Sequence, residues 1–229
     1  MIPIRDHNPR AGAVWVVWTL AAAAALAFVV PIALGGLEGV ARVAWAGGLV
    51  PVAWWADPSG QAPRLLAHAF LHGGWAHLVG NLVFLVVFGD NVEDHLGHAR
   101  FLAFYVAAAV VAGLAHAVAA PASPLPLVGA SGAISALLGA YVRFFPRRRV
   151  DALVVPLVLP WLVLRTFART PAFFVWPLPA WLYLGYWALL QVVEGMASLE
   201  TVQVAATTGG VAWWAHVGGF VFGVVATPL

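Results

Sequence analysis

The run Ala13–Leu34, AVWVVWTLAAAAALAFVVPIAL, contains no charged side chain. Its length matches the ~20 apolar residues that a helix needs to cross the hydrocarbon core of a bilayer. It also exceeds the apolar core of a cleavable signal peptide, which is about 7–15 residues long. The whole chain is 63% hydrophobic and 9% charged, with a mean hydropathy of +0.92. The sequence therefore predicts a multi-pass membrane protein that retains its first span.

Five further apolar runs follow the first one. They lie near residues 74–94, 100–120, 129–145, 178–198 and 211–228. We expect an all-α polytopic bundle of six transmembrane helices that uses residues 1–229 as a single domain, with a long first extracytoplasmic loop over about 35–73. Prolines and arginines interrupt the stretch 151–176, so we interpret it as an interfacial or re-entrant segment.

All eleven lysine and arginine residues are arginine, and their positions predict the orientation of the spans. Those that flank the spans on one side are Arg5, Arg10, Arg100, Arg143 and Arg147 to Arg149, whereas Arg42 and Arg64 of the first loop fall opposite. The positive-inside rule assigns the richer side to the cytoplasm, so residues 1–12 form a short cytoplasmic N-terminal segment. The compact, lysine-free chain favours a prokaryotic plasma membrane. A net charge of +2, scattered along the chain, does not suggest a nucleic-acid partner.

With this orientation, three groups of polar residues would lie at the same depth in the membrane. Spans two, four and six would all run inward from the outer surface, and each has polar side chains at or just before its start. These side chains are His72, His77 and Asn81 for span two, Ser131 for span four and His216 for span six. Polar groups at such depth are costly and tend to be functional. We expect them to converge in the outer leaflet.

A serine hydroxyl becomes a strong nucleophile when a nearby base accepts its proton, and histidine suits that task near neutral pH. Ser131 and His216 are therefore the candidate nucleophile and base. Neither of their spans contains an acidic residue, so we expect a dyad without a third group that orients the histidine. Small residues favour close packing of the two spans, namely Gly132, Ser135, Ala136, Gly139 and Ala140 on one and Gly219 and Gly223 on the other.

Acyl transfer also requires hydrogen-bond donors for the developing oxyanion. The backbone amide of Ser131, at the start of a helix, is one candidate. Asn81 and His77 lie four positions apart and so share a helical face, which makes their side chains further candidates. Asn81 is the better donor of the two because an amide needs no protonation to donate.

These patterns resemble those of the rhomboid family of intramembrane serine proteases, and the resemblance covers most of the chain. The family's HxxxxHxxxN is present as His72, His77 and Asn81, its GxSG as residues 129–132, and its AHxxG as residues 215–219. By resemblance, Ser131 is the nucleophile, His216 its base, and Asn81, His77 and the Ser131 amide form the oxyanion hole. The same resemblance gives supporting roles to His72, which orders the first loop, to Gly129 and Gly132, and to Glu93, which is structural.

The resemblance also implies an activity. Single-pass transmembrane proteins would be cleaved within or beside their membrane segments, in the lipid bilayer and without a cofactor or metal. The active site would open to the extracytoplasmic side, and spans five and two would form the lateral route for a substrate helix.

Two features depart from the family pattern. Ser135 stands four positions after the nucleophile, where the family often has an aromatic residue packed against the catalytic imidazole. We expect Trp213 or Trp214 to help to position His216 instead. The Trp-Arg pair that many members carry in the first loop is not found, although residues 54–57, WWAD, lie in that region.

Other classes of protein remain as alternatives. His68, His72 and His77 could form a metal or haem site, but only the first two share a helical face. A transporter would be favoured by charges in the middle of spans or by inverted repeats, and neither is visible. A catalytically silent rhomboid-like adaptor would be expected to lack the serine or the histidine, and both are present.

Overall fold

A computed structural model describes residues 1–167, 173–200 and 212–227. Most of these residues are helical. The helices are α1 (Trp15–Gly47), α2 (Pro51–Ala56), α3 (Pro58–Gln61), α4 (Arg64–Ala67), α5 (Trp75–Leu96), α6 (His98–Ala119), α7 (Ser131–Phe144), α8 (Val158–Phe167), α9 (Ala180–Glu200) and α10 (Trp213–Ala226). Short 3-10 turns occupy His68–Phe70 and Val155–Leu157, and three strands are present, β1 (Ile2–Asp6), β2 (Arg149–Leu153) and β3 (Val175–Pro179).

Several helices are apolar enough to cross a membrane. In the described part of the chain, α1, α5 and α6 meet both the length and the hydropathy expected of a span, and Val155–Arg165 and Trp213–Ala226 are shorter apolar helices. Helix α7 has only 14 residues, or about 21 Å at 1.5 Å per residue, and ten of them are buried. The bundle is thus built around α7, and the count of six spans stays a prediction.

The first helix is broken where the first apolar run was expected to end. Gly35 and Gly36 have non-helical backbone angles, and Gly36 adopts a φ of +58°, a conformation that glycine tolerates best. After the break the helix packs back on its first part, since Gly39 contacts the carbonyl of Pro31, and Val40 joins a buried cluster with Phe28. The break separates a membrane-length segment from a helix of the first loop.

The expectation of an all-α fold is wrong in one respect, because the strands form a small antiparallel sheet in the order β1-β2-β3. Ile2 pairs with Leu153, and Arg149 pairs with Pro179. The predicted N-terminal segment 1–12 therefore contributes an edge strand. Strands β2 and β3 are antiparallel neighbours in this sheet. The interfacial or re-entrant interpretation of 151–176 stays a prediction, because residues 168–172 lie outside the described part of the chain.

A buried carboxylate joins the start of α1 to the end of α5. Glu93 is fully buried and accepts hydrogen bonds from the backbone amides of Val16 and Val17 at 2.9 and 2.7 Å. Its other contact is His98 Nδ1 at 2.6 Å. A negative charge at a helix N-terminus stabilises the helix, so the predicted structural role of Glu93 is confirmed.

Backbone contact brings α7 and α10 together, as the small residues predict. A Cβ added to Gly219 would overlap the carbonyl of Gly132, and one added to Gly223 would overlap the carbonyl of Ala136. Gly139 contacts the carbonyl of Phe220 in the same way. This close approach positions the N-terminal end of α7 beside the first turns of α10.

The first loop is folded onto the N-terminal end of α7. Leu49 forms a backbone bridge with Leu127, and the amide of Gly129 donates to the carbonyl of His68 at 2.8 Å. The same loop also contacts the end of α6, where Trp55 donates its indole N–H to the carbonyl of Ala117 at 2.9 Å. The residues just before Ser131 are thereby fixed from the first loop.

Candidate active site

Ser131 and His216 form a hydrogen bond. Ser131 is the first residue of α7, and His216 lies in the first turn of α10. The distance from Ser131 Oγ to His216 Nε2 is 2.8 Å, and the imidazole is buried. The structure thus brings together the two residues predicted to be nucleophile and base, although 84 residues separate them in the chain.

The other ring nitrogen of His216 also has a partner, which the sequence analysis missed. His216 Nδ1 lies 2.7 Å from the side-chain oxygen of Gln191 on α9, and Gln191 is buried. The expected dyad, without a third group that orients the histidine, therefore leaves out this hydrogen-bonded partner. That expectation considered only acidic residues on the two spans of the dyad, whereas this partner is a neutral amide on a third helix. A lone amide in an apolar span was the available signal.

Aromatic rings flank His216 on two sides. The Trp213 ring lies 6.1 Å from the imidazole, edge-on, and the Trp187 ring of α9 lies 6.0 Å away. Trp213 therefore lies beside the histidine, and its contribution to positioning stays a prediction. Trp214 packs near Gly195, and Trp187 was not foreseen. Ser135 donates its hydroxyl to the Ser131 carbonyl at 2.6 Å, within its own helix.

Asn81 is held by His72 rather than left free. The side-chain amide of Asn81 donates to His72 Nε2 at 2.9 Å, and His72 Nδ1 lies 3.2 Å from the carbonyl of Phe70. Burial lowers the pKa of His72 to about 4, with a further contribution from His77. The ring is therefore neutral near pH 7, with its proton on Nδ1 and a lone pair on Nε2 for the amide. A second N–H of Asn81 remains to serve another acceptor.

The His77 ring lies against Gly129 and close to Ser131, because residue 129 has no side chain. Gly129 has a φ of +126°, and an added Cβ would stand 2.7 Å from His77 Nε2 and 3.5 Å from Ser131 Oγ. The His77 ring packs edge-on against His72 with centroids 5.1 Å apart. Gly132 in turn allows α6 to approach, since a Cβ added to Gly132 would stand only 2.6 Å from the Cβ of Ala112. Both supporting glycines thus lie at close contacts.

Groups that can donate hydrogen bonds lie near the start of α7. The amides of the first helical turn have no acceptor within their own helix, and the Ser131 amide is one of them. Asn81 on α5 and His77, one helical turn before it, are the candidate side-chain donors. Donors of this kind can stabilise negative charge that develops on an oxygen next to Ser131.

The three histidines of the alternative metal site do not form one cluster. His68 Nε2 lies 3.2 Å from the carbonyl of Ala109, away from the His72 and His77 pair. Across residues 1–167, 173–200 and 212–227, no group of three His, Cys, Asp or Glu side chains is arranged to hold a metal ion.

The helices and this site define an integral multi-pass membrane protein with a serine and a histidine in hydrogen-bond contact inside its bundle. The sequence model of the rhomboid domain family matches residues 59–229. The chain belongs to the rhomboid family.

Individual relatives are similar over shorter stretches. The chain is 42% identical over 87 residues to rhomboid protease GluP of Bacillus subtilis, which covers 38% of this chain and 15% of that protein. It is 35% identical over 89 residues to the putative rhomboid protease YdcA of the same organism, covering 39% and 40% of the two chains. Human mitochondrial presenilin-associated rhomboid-like protein is 31% identical over 98 residues, covering 42% and 26%. The matched stretches span less than half the length of these relatives.

Proposed function

We propose that this protein is an intramembrane serine endopeptidase that cleaves transmembrane proteins through a Ser131–His216 dyad. The observation that carries the proposal is the 2.8 Å hydrogen bond from Ser131 Oγ to His216 Nε2 on neighbouring helices. Membership of the rhomboid family, with relatives named as rhomboid proteases, supports it. A catalytically silent adaptor would have no need for this contact.

The reaction begins when His216 Nε2 accepts the proton of Ser131 Oγ. The oxygen attacks the scissile carbonyl carbon, a C–O bond forms, and the carbonyl oxygen becomes an oxyanion. The C–N bond then breaks, and His216 returns its proton to the leaving amine, which leaves an acyl-enzyme. In the second half, His216 removes a proton from water, the hydroxide attacks the ester, and Ser131 recovers its proton as the carboxyl product leaves.

The oxyanion would be stabilised by three groups. One N–H of Asn81 is engaged with His72 at 2.9 Å, and the other is available to the oxyanion. His77 and the Ser131 amide would be the other two donors. A single donor of this kind contributes about 2.7–4 kcal/mol to transition-state stabilisation.

The proposal extends to topology and substrate. The positive-inside rule gives a cytoplasmic N-terminus and sheet, with the active site opening to the extracytoplasmic side of a plasma membrane. A single-pass transmembrane substrate would enter from the bilayer between α5 and α9, as the resemblance to the family implies.

The dyad can be tested with an active-site probe. Purified protein in detergent is treated with a fluorescent fluorophosphonate, and wild type is compared with Ser131→Ala and His216→Ala. We expect labelling of wild type alone, while the control Ser198→Ala, which removes a hydroxyl bonded within α9, labels normally. Equal labelling of wild type and both dyad variants would overturn the proposal. If the dyad is supported, membrane-protein fragments that are released only when Ser131 is intact would identify the substrates.

A further inference from the structure

Gln191 is a buried amide in an apolar helix, and both ends of its side chain are engaged. Its Oε1 lies 2.7 Å from His216 Nδ1, and its Nε2 donates to the carbonyl of Trp187, one turn earlier in α9, at 3.1 Å. Gln191 is 6% exposed and His216 is 8% exposed. A buried polar group with two partners is expected to have a defined orientation.

The Trp187 carbonyl determines which way the amide faces. A carbonyl only accepts hydrogen bonds, so the NH₂ end of Gln191 must point to it. The oxygen end then faces His216. Exchanging the two ends would set the Gln191 oxygen against the Trp187 oxygen, with two acceptors in contact and no proton between them. The assignment of the amide therefore follows from the chemistry of its neighbours.

This orientation also determines the tautomer of His216. An oxygen at 2.7 Å from Nδ1 requires a proton on that nitrogen. A neutral imidazole then has a lone pair on Nε2, the nitrogen that lies 2.8 Å from Ser131 Oγ. The opposite tautomer would present an N–H to the serine oxygen and could not accept its proton.

We propose that Gln191 is a positioning residue, whose side-chain carbonyl holds His216 in the tautomer that can deprotonate Ser131. It has the role that a buried carboxylate has in a Ser-His-Asp triad, but without a charge. A neutral acceptor avoids the cost of burying an anion in the bundle. The inference rests on the proposed function, since it concerns the base of that reaction.

The kinetic test compares two substitutions at Gln191. Gln191→Leu removes the acceptor, and Gln191→Glu keeps an oxygen acceptor at the same position. We expect Gln191→Leu to lower the rate of Ser131 labelling by about 10- to 100-fold, as loss of the partner of an imidazole does in metal sites. Gln191→Glu should label faster than Gln191→Leu, although the cost of burying a carboxylate lowers its stability. Glu194→Gln, an exposed change on the same helix, is the matched control and should label as wild type does.

A spectroscopic measurement separates positioning from general support of the fold. Protein labelled with ¹⁵N in its histidine rings reports which nitrogen carries the proton, and His216→Ala assigns the signals. We expect a protonated Nδ1 and a bare Nε2 on His216 in wild type, and a mixed or reversed population in Gln191→Leu. If the leucine variant does not fold, Gln191→Met takes its place.

The outcomes distinguish this inference from the proposed function. Absence of Ser131-dependent labelling in wild type would overturn the protease proposal, yet the tautomer of His216 could still be measured. Normal labelling of wild type with an equal rate in Gln191→Leu would overturn the role of Gln191 alone. A wild-type His216 with its proton on Nε2 would do so as well.

Discussion

Asn81 of α5 and His72 of the preceding loop are joined by a hydrogen bond of 2.9 Å, so the side-chain amide is fixed before any substrate binds. His72 is itself held by the Phe70 carbonyl at 3.2 Å. The first loop thereby holds the side chain that we propose as an oxyanion donor. Preorganised donors contribute more to catalysis than donors that must be oriented during the reaction.

The first prediction concerns these two residues. Asn81→Ala should lower kcat/KM for a transmembrane substrate by about 10²–10³-fold, because one oxyanion donor is lost. His72→Ala keeps the Asn81 amide but removes the residue that orients it, so kcat/KM should fall by less. Rate measurements in detergent or in vesicles, with Ser131→Ala as the blank, decide the order. A larger defect in His72→Ala than in Asn81→Ala would contradict this assignment.

The second prediction concerns helix packing. In Gly223→Ala the new methyl group would overlap the Ala136 carbonyl and force α7 and α10 apart. We expect a destabilisation of about 1–3 kcal/mol, typical of an overpacked core, together with weaker labelling of Ser131.

Gly185→Ala is the matched control for this change. Gly185 lies on α9, and an added Cβ there would have no neighbour within 4 Å. The same substitution should therefore be neutral or slightly stabilising, since alanine favours a helix over glycine by about 0.5–1 kcal/mol. Thermal unfolding in detergent compares the two variants. Equal melting temperatures would show that the backbone contact is not needed.

The third prediction concerns Glu93, which accepts hydrogen bonds from two amides at the start of α1. Glu93→Ala should destabilise the protein by about 1–3 kcal/mol for each buried amide that loses its partner. Glu93→Gln keeps one acceptor oxygen and should cost less. Asp94→Ala is the control, because Asp94 binds the amides of Ala11 and Gly12 in exposed positions. Thermal unfolding compares the two variants, and a lower melting temperature for Asp94→Ala than for Glu93→Ala would contradict this role of Glu93.

The fourth prediction concerns orientation, and the absence of cysteine makes it simple to test. Ala122→Cys and Arg148→Cys each introduce one thiol at an exposed position. An impermeant maleimide applied to intact cells should label residue 122 and leave residue 148 unlabelled until the membrane is permeabilised. The reverse pattern would require the opposite orientation.

The site could be predicted well because its residues lie in short patterns on separate apolar runs. Ser131, His216 and the glycines around them are recognisable from type and spacing, and the predicted contact between α7 and α10 is present. The sequence also indicated that the first apolar run ends near Leu34, where Gly35 and Gly36 break α1. Local backbone preferences and polarity are sufficient for conclusions of this kind.

Two other features could not be predicted because they depend on long-range contacts. Strand β1 pairs with residues about 150 positions later, and its five residues have no periodicity that would indicate a sheet. Gln191 belongs to no motif, and its role depends on how far α9 lies from α10. In both cases tertiary packing, rather than local preference, assigns the function of the residue.

The contact of Gly219 with the Gly132 carbonyl also affects how this protein can tolerate change. Gly132 follows Ser131, and Gly219 lies one turn after His216. The backbone contact between these two glycines therefore acts as a spacer that determines the distance between the serine and the histidine. Neither glycine has a side chain of its own to add bulk there. Exchange of one apolar residue for another on the lipid-facing surface is therefore expected to leave the distance between the serine oxygen and the imidazole nitrogen unchanged.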